Sequence, residues 1–529
     1  MKFGIKMLAF GLFLLSFSAS GQYANSWISR NQSYYKISVS KDGIYKLTYS
    51  DLLAASFPVN SVNPRLIKLY HRGVEQAIFI QGESDAVFNT TDFIEFFGRK
   101  NDGTRDQKLY QPPSAQPHNL YNLYSDTTAY FLTYSLIPPG GKRMANFSEV
   151  NISGIPKENF HNEERLLVLG NSYSAGATQN SELSNTQFVQ AEGWFGTALQ
   201  QNQSIDYVLD LVVNSMPVAG QPLLEVLLVG RSNIPHNGEV WVGPNTGSLR
   251  SLTVANFFGF ETPLLSLPLN WSDVGSDGRM TIRLKAGTAT TNRFQFSTAY
   301  VKITFPQHFN ASSTTEKKFI LQANGANKSY IEIDNPSATM RMWDVTNPNE
   351  VITIGTRAAG STLSAVVSNT STPRKLFAAS ITTTPPIKSV SFRSINPTIP
   401  NFLIITNRAL LKPALGYANV VRSYAEYRAS AVGGKYDTLT ITVDQLYDQF
   451  NYGETSSLAI YEFMRWMVDK GNPKYLFIIG KGRDISSYSS YQRKTLPANE
   501  FRDLVPSAGY PAADMAFTAG LGDTSFEPK

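Results

Sequence analysis

"KYLFIIGKGRDI", Lys474 to Ile485, is the stretch on which the fold turns. Its apolar run, Leu476 to Ile479, is short and ends at Gly480, which reads as a buried strand rather than a helix. Upstream, "FLIIT" (Phe402 to Thr406) and "TLTITV" (Thr438 to Val443) have the same form. Helical patterns lie between them. Pro413 to Ser430 places Ala414, Tyr417, Ala418, Val421, Tyr424 and Ala425 on one face, with Gly433-Gly434 as the stop. "SSLAIYEFMRWMVDKGNP" puts Ile460, Phe463, Met464, Met467 and Val468 on one face, with Gly471 past the end. Strand, helix, strand, helix, strand predicts a parallel α/β unit.

In such a sheet the working site lies outside the carboxyl ends of the strands, where Gly480 to Asp484 falls. A nucleotide loop needs G-x-x-x-x-G-K-[ST], with the lysine after the second glycine. Here Lys481 stands between the glycines, and Arg483-Asp484 follow where a helix should open. G-x-G-x-x-G fails as well, because Ile485 holds the third glycine's place. The loop reads as a strand-to-loop turn that needs glycine for its backbone.

Moving outward, residues 33–137 alternate with period two. "YYKISVSKDGIYKLTY" predicts a hairpin at Asp42-Gly43, and "RLIKLYHRGVEQAIFI" another at Arg72-Gly73, with His71 on the surface. "DFIEFFG" and "TAYFLTY" add two strands. Pro138 to Gly141 breaks the pattern. From Ile152 to Ile395 further strands follow at sandwich-like intervals, among them "DYVLDLVVNS", "PLLEVLLVG", "FSTAYVKITF", "YIEID" and "VITIG". One large or two small sandwiches fit, and Pro385-Pro386 with Pro397 to Pro400 reads as a linker. The expected organisation is a signal peptide over 1–21, an N-terminal β domain over 22–140, a β-sandwich region over 150–396 and the α/β unit over 400–529. The fold class is therefore multidomain β plus a partial parallel α/β sheet.

A chain of 529 residues exceeds one core. Its net charge of +6 carries no basic block with interleaved aromatics, so nucleic acid is not an expected partner. "MKFGIKMLAFGLFLLSFSASGQ" has Lys2 and Lys6, an apolar run and small residues before Gln22, the pattern of a secretory signal cleaved after Gly21. The run is too short to span a bilayer of about 30 Å, and no later stretch reaches about 18 apolar residues. The mature chain is expected to be exported without a membrane span.

The residues after the third strand resemble the first half of the peptidase domain of gingipain-type cysteine peptidases. There the strand runs into a Gly-Asp-x-x-Asp-type turn; here "FIIGKGRDI" keeps Asp484 and has Lys481 in place of the usual acid. "AADMAF", with Asp514 and Phe517, is similar to the family's small-Asp-x-x-aromatic segment, and "GLGD", with Asp523, to its Gly-Asp turn. "YDQFNYGETSSLAIYEFMRW" resembles the segment before the family's second helix. "YKISVSKDGIYKLTYSDL", "DFIEFFG", "EGWFG" (Glu192 to Gly196) and "MWDVTNP" (Met342 to Pro348) resemble the β domains of the family's cell-surface sortase branch in the type IX secretion system.

The resemblance implies a Cys-His pair that cleaves or transfers peptides of secreted cargo, with protein substrates and outer-membrane secretion partners. It implies a place in the periplasm or on the cell surface of a Gram-negative bacterium. It places Asp484, Asp514 and Asp523 on the rim of a site rather than in the chemistry. The chain contains no cysteine, and its five histidines (His71, His118, His161, His236 and His308) all lie in the β region. The expectation is therefore a piece of the enzyme whose catalytic His and Cys lie beyond residue 529. The alternative is a natural non-catalytic β-sandwich module for surface binding or adhesion. No cofactor or metal is expected, with calcium left open. "HNEER" at His161 lacks the second histidine of a zinc helix, and "NDGTRD" (Asn101 to Asp106) meets Pro112 where a calcium loop needs Glu, so it reads as a polar hairpin.

Overall fold

A computed structural model describes residues 23–177, 187–210, 212–288, 293–487 and 503–522. The predicted signal peptide and Asp523 lie outside these residues.

The N-terminal part is a β-sandwich. Its strands are β1 (Tyr34–Val39), β2 (Gly43–Thr48), β3 (Ile67–His71), β4 (Val74–Gln76), β5 (Phe79–Gln81), β6 (Phe93–Gly98) and β7 (Thr128–Tyr134), with a short helix α1 (Tyr49–Ala54) after β2. β1, β7, β3 and β4 form one sheet and β2, β6 and β5 the other. Ile37, Leu47, Leu69, Ile94 and Leu132 meet between them with no exposed surface.

Arg72-Gly73 makes the predicted hairpin, with both residues at positive φ and His71 opposite Val74. Asp42-Gly43 does not. β1 and β2 lie in different sheets, and the chain turns a corner between them. Alternation put both strands' apolar residues into one core, which a hairpin and a sandwich corner do equally well. The Asp42 carboxylate is engaged at long range, accepting from the Lys100 amide and the Lys318 ammonium.

The middle region is built on a single ten-stranded sheet that runs from Ala145–Phe147 at one edge to Leu264–Pro268 at the other. A four-stranded sheet covers one part of it around Leu224, Val226, Ile282 and Val301. A three-stranded sheet covers another around Phe319, Ile331, Leu363 and Val367. Two short pieces of this region matter below: β8 (Ser172–Ala175) and β9 (Glu192–Phe195), paired antiparallel. The strand β10 (Ile387–Val390) leaves the region altogether. It falls in the stretch expected to be a linker and pairs with β1, so the first sheet is closed by residues from far down the chain.

The C-terminal unit has the predicted parallel sheet, with β11 (Phe402–Thr406) between β12 (Thr438–Thr442) and β13 (Tyr475–Ile479). Its helices are α2 (Val420–Ala429), α3 (Val443–Phe450) and α4 (Leu458–Lys470). α2 covers the face of Phe402 and Ile404, while α3 and α4 cover the face of Leu403 and Ile405. Ile460, Phe463, Met464 and Met467 of α4 are buried, each worth about 1.5–3 kcal/mol of transfer free energy. α2 starts later than Pro413, because Leu415 and Gly416 turn the chain at positive φ and the Asn419 side chain caps the Arg422 amide. The sequence reading missed α3, although Thr442 and Gln445 have the spacing of a capping box and the Gln445 side chain accepts from the Thr442 amide. Among the described residues β13 pairs only with β11, and its Tyr475 and Phe477 are 49% and 40% exposed.

Candidate functional site

The opening loop follows β13 at the carboxyl end of the sheet. Both glycines are required by a close neighbour. The segment 503–507 lies across them, with the Leu504 and Val505 amides donating to the Lys481 carbonyl at 2.8 and 3.1 Å. A Cβ at Gly482 would stand 2.1 Å from Ser507 Oγ, and one at Gly480 2.8 Å from Val505 Cγ2. The Asn407 side chain, after β11, donates to the Leu504 carbonyl. The space a phosphate would need is thus filled by the chain's own backbone.

Asp484 closes this loop. Its Oδ1 accepts from the Ser486 amide at 2.9 Å, and its Oδ2 from the Ala512 amide at 3.2 Å. The latter bond ties it to the turn whose next residues open the short helical turn Asp514–Phe517. Asp484 and Asp514 therefore belong to one loop cluster, with Asp514 exposed on it. Asp503, which the sequence did not single out, accepts from the Arg483 amide at 3.0 Å. Burial pushes its carboxyl up to about 7 against the pull of Arg483.

The β region grips this unit through a polar joint. Arg72 Nε donates to Glu454 Oε1 at 2.8 Å and Lys108 Nζ to Glu462 Oε1 at 2.7 Å. Arg105 donates twice to Asn451 Oδ1, and Lys36 pairs with Asp448. The Tyr124 hydroxyl meets Ser457 Oγ at 2.6 Å and the Ser507 carbonyl at 2.9 Å. "NDGTRD" is accordingly no free hairpin. Asp102 pairs with Arg72, and Asp106 is buried, accepting from Asn122 Nδ2 and the Leu123 amide. Burial pushes the Asp106 carboxyl up to about 8.

His71 is also inside, only 4% exposed and stacked on Tyr130. Thr128 Oγ1 gives its one proton to Glu454 at 2.6 Å, so His71 Nε2, at 3.0 Å from the same oxygen, must be the donor there. Burial, with Arg72 nearby, holds the His71 imidazolium form well out of reach at neutral pH. His161 and His236 are likewise buried among aromatic rings. Among the described residues no group of three or more metal-ligating side chains comes together.

Residues 395–526 match the family model of Peptidase family C25. The resemblance of this stretch to gingipain-type peptidases is thereby shown. The fold extends the likeness: the chain is similar to the crystal structure of dimeric latent PorU from Porphyromonas gingivalis, with a TM-score of 0.54 and 14% identity over 83% of this chain. The chain spans 40% of the length of that protein. The CBM36-1 domain of a xylanase from the hindgut metagenome of Trinervitermes trinervoides matches 27% of this chain and 96% of its own at a TM-score of 0.17 and 14% identity. No curated protein matches the chain. The loop cluster of Asp484 and Asp514 lies within this C25 segment. No helix among the described residues is long and apolar enough to cross a membrane.

Proposed function

We propose that this chain belongs to a gingipain-like cysteine peptidase or sortase of a type IX secretion system, acting on secreted cargo at the cell surface after export. The observation that carries this reading is the attachment of the C25 segment to a PorU-like β region through charge pairs whose carboxylates, Glu454 and Glu462, are buried. A loosely tethered binding module has no need of Glu454 and Glu462 buried against Arg72 and Lys108. The β region serves as the scaffold that presents cargo to the loop cluster. Asp484 and Asp514 shape the rim of the site and take no part in bond-making. The 529 residues supply no thiol. On this reading the nucleophile and its histidine belong to further strands of the same sheet; among the described residues β13 pairs only with β11.

The native gene product tests this directly. An antibody against residues 22–140 captures it from the producing cells after treatment with a thiol-directed peptidyl acyloxymethyl ketone. Covalent labelling of the captured species, blocked by prior iodoacetamide, is expected. Captured protein that stays unlabelled on intact cells replaces the peptidase with a non-catalytic surface-binding module.

A further inference from the structure

Glu192, in the "EGWFG" strand, is a carboxylic acid that meets no counter-charge among the described residues. It is 1% exposed. Its Oε1 accepts from the Tyr173 hydroxyl at 2.6 Å and its Oε2 from the Val189 amide at 3.0 Å. Both donors are neutral. The Tyr121 hydroxyl pins the same strand by accepting from the Trp194 amide, and the Tyr110 hydroxyl donates to the Glu192 carbonyl. Across a small enclosed cavity the groups that face it are Asp106, Tyr110, His118 and Tyr121. From the C25 segment the facing charge is Asp484. The neighbouring cation Arg231 spends its guanidinium on Ser172, Ser297 and the Tyr173 carbonyl, and forms no ion pair with Glu192.

Tyr173 is the bridge between this acid and the loop cluster. Its ring packs on Trp194 at 5.4 Å and on Tyr510 at 5.7 Å. Tyr510 belongs to the same turn as Ala512, which Asp484 holds. Asp484 accepts two backbone N–H groups, from Ser486 and Ala512. Burial disfavours the charged form of Glu192, and the facing Asp484 adds to this.

We propose that Glu192 is a positioning residue for the loop cluster: in its protonated form it seats the Gly480–Asp484 loop and the 508–513 turn against the β region, and loss of the proton unseats them. Burial pushes its carboxyl up to about 8, with the negative charge of Asp484 adding to the rise. The folded-state value lies above the unfolded one, so the seat is full at acidic pH and is lost as pH climbs through about 8. The inference stands independently of the peptidase reading, because its readout is local protection and not turnover.

The experiment is hydrogen exchange by mass spectrometry on the whole chain, from about pH 6.5 to about pH 9.5, corrected for intrinsic rates. Exchange of amides 480–487 and 503–513 is expected to rise about tenfold, with a midpoint near 8. In Glu192→Gln the same amides are expected to stay protected throughout. Tyr173→Phe removes a hydrogen bond that favours the carboxylate, so its midpoint is expected to move to higher pH. A flat wild-type profile overturns the proposal. So does a Glu192→Gln profile that follows the wild type, or a Tyr173→Phe midpoint that stays put or falls. Should Glu192→Gln fail to fold, the Tyr173→Phe midpoint alone decides.

Discussion

The sandwich cores and the joint that carries the C25 segment are made of opposite chemistries. Around Val226, Ile282, Val301 and Phe305 the middle region buries a continuous body of aliphatic and aromatic surface, with His236 packed at its margin on Phe257. The joint instead buries Glu454, Glu462, Asp106 and Glu192, with hydroxyls and amides between them. An apolar core responds to volume and hardly to pH, because little in it titrates and burial disfavours the charged form of the His236 at its margin. A polar joint responds to every change of proton or charge, because each buried group needs its partner. The scaffold is thus fixed, and the mounting of the candidate site on it is adjustable.

The comparison can be broken at either end. The largest effect is expected from Phe305→Ala in the sandwich core, about 3–5 kcal/mol off the whole β region, seen as a drop in Tm that is the same at pH 6 and pH 8. Next comes Glu454→Ala. It removes one of the two carboxylates on the Arg72 guanidinium and the acceptor of the Thr128 hydroxyl, and about 3 kcal/mol should be lost from the joint. Limited proteolysis should then cut between the β region and α3 while the sandwich cores stay intact; equal loss from both would erase the distinction.

A smaller, pH-dependent effect is expected at Asp106. Its folded-state value lies above its unfolded one, so its contribution is complete below about pH 4 and declines as pH rises to about 8. Asp106→Asn should flatten the pH dependence of Tm across that window, and an unchanged slope would show that the carboxyl is not held neutral. The smallest effect belongs to the exposed Arg422–Glu426 pair on α2. Arg422→Ala should cost no more than about 0.5 kcal/mol, measured by urea unfolding.

Much of the architecture was legible because period and punctuation are local. The alternation of β7, the Arg72-Gly73 turn and the apolar face of α4 each follow from residues a few positions apart. The Asp42-Gly43 corner was misread because alternation reports which face is buried and not which strand pairs with which. The start of α2 depends on Gly416 and Asn419 outweighing Pro413 as punctuation. The site was legible only in part. Asp484 and Asp514 were found by motif and do share one loop cluster. Asp106 and Glu192 were not, because their character comes from partners that sequence distance hides: Asn122 for one, Tyr173 and Asp484 for the other. His71 looked like a surface residue because nothing near it in sequence announces Thr128 and Glu454.

One pairing sets a timetable for the chain's self-assembly. β1 finds its outer neighbour in Ile387–Val390, so the first sheet of the molecule waits for residues about 350 positions downstream. Contacts of that span are closed late and slowly, since the loop entropy must be met before the strand is rewarded. Until then β1 offers a bare edge to any extended peptide nearby. A chain that emerges amino end first from the ribosome therefore spends most of its synthesis with its opening domain unfinished.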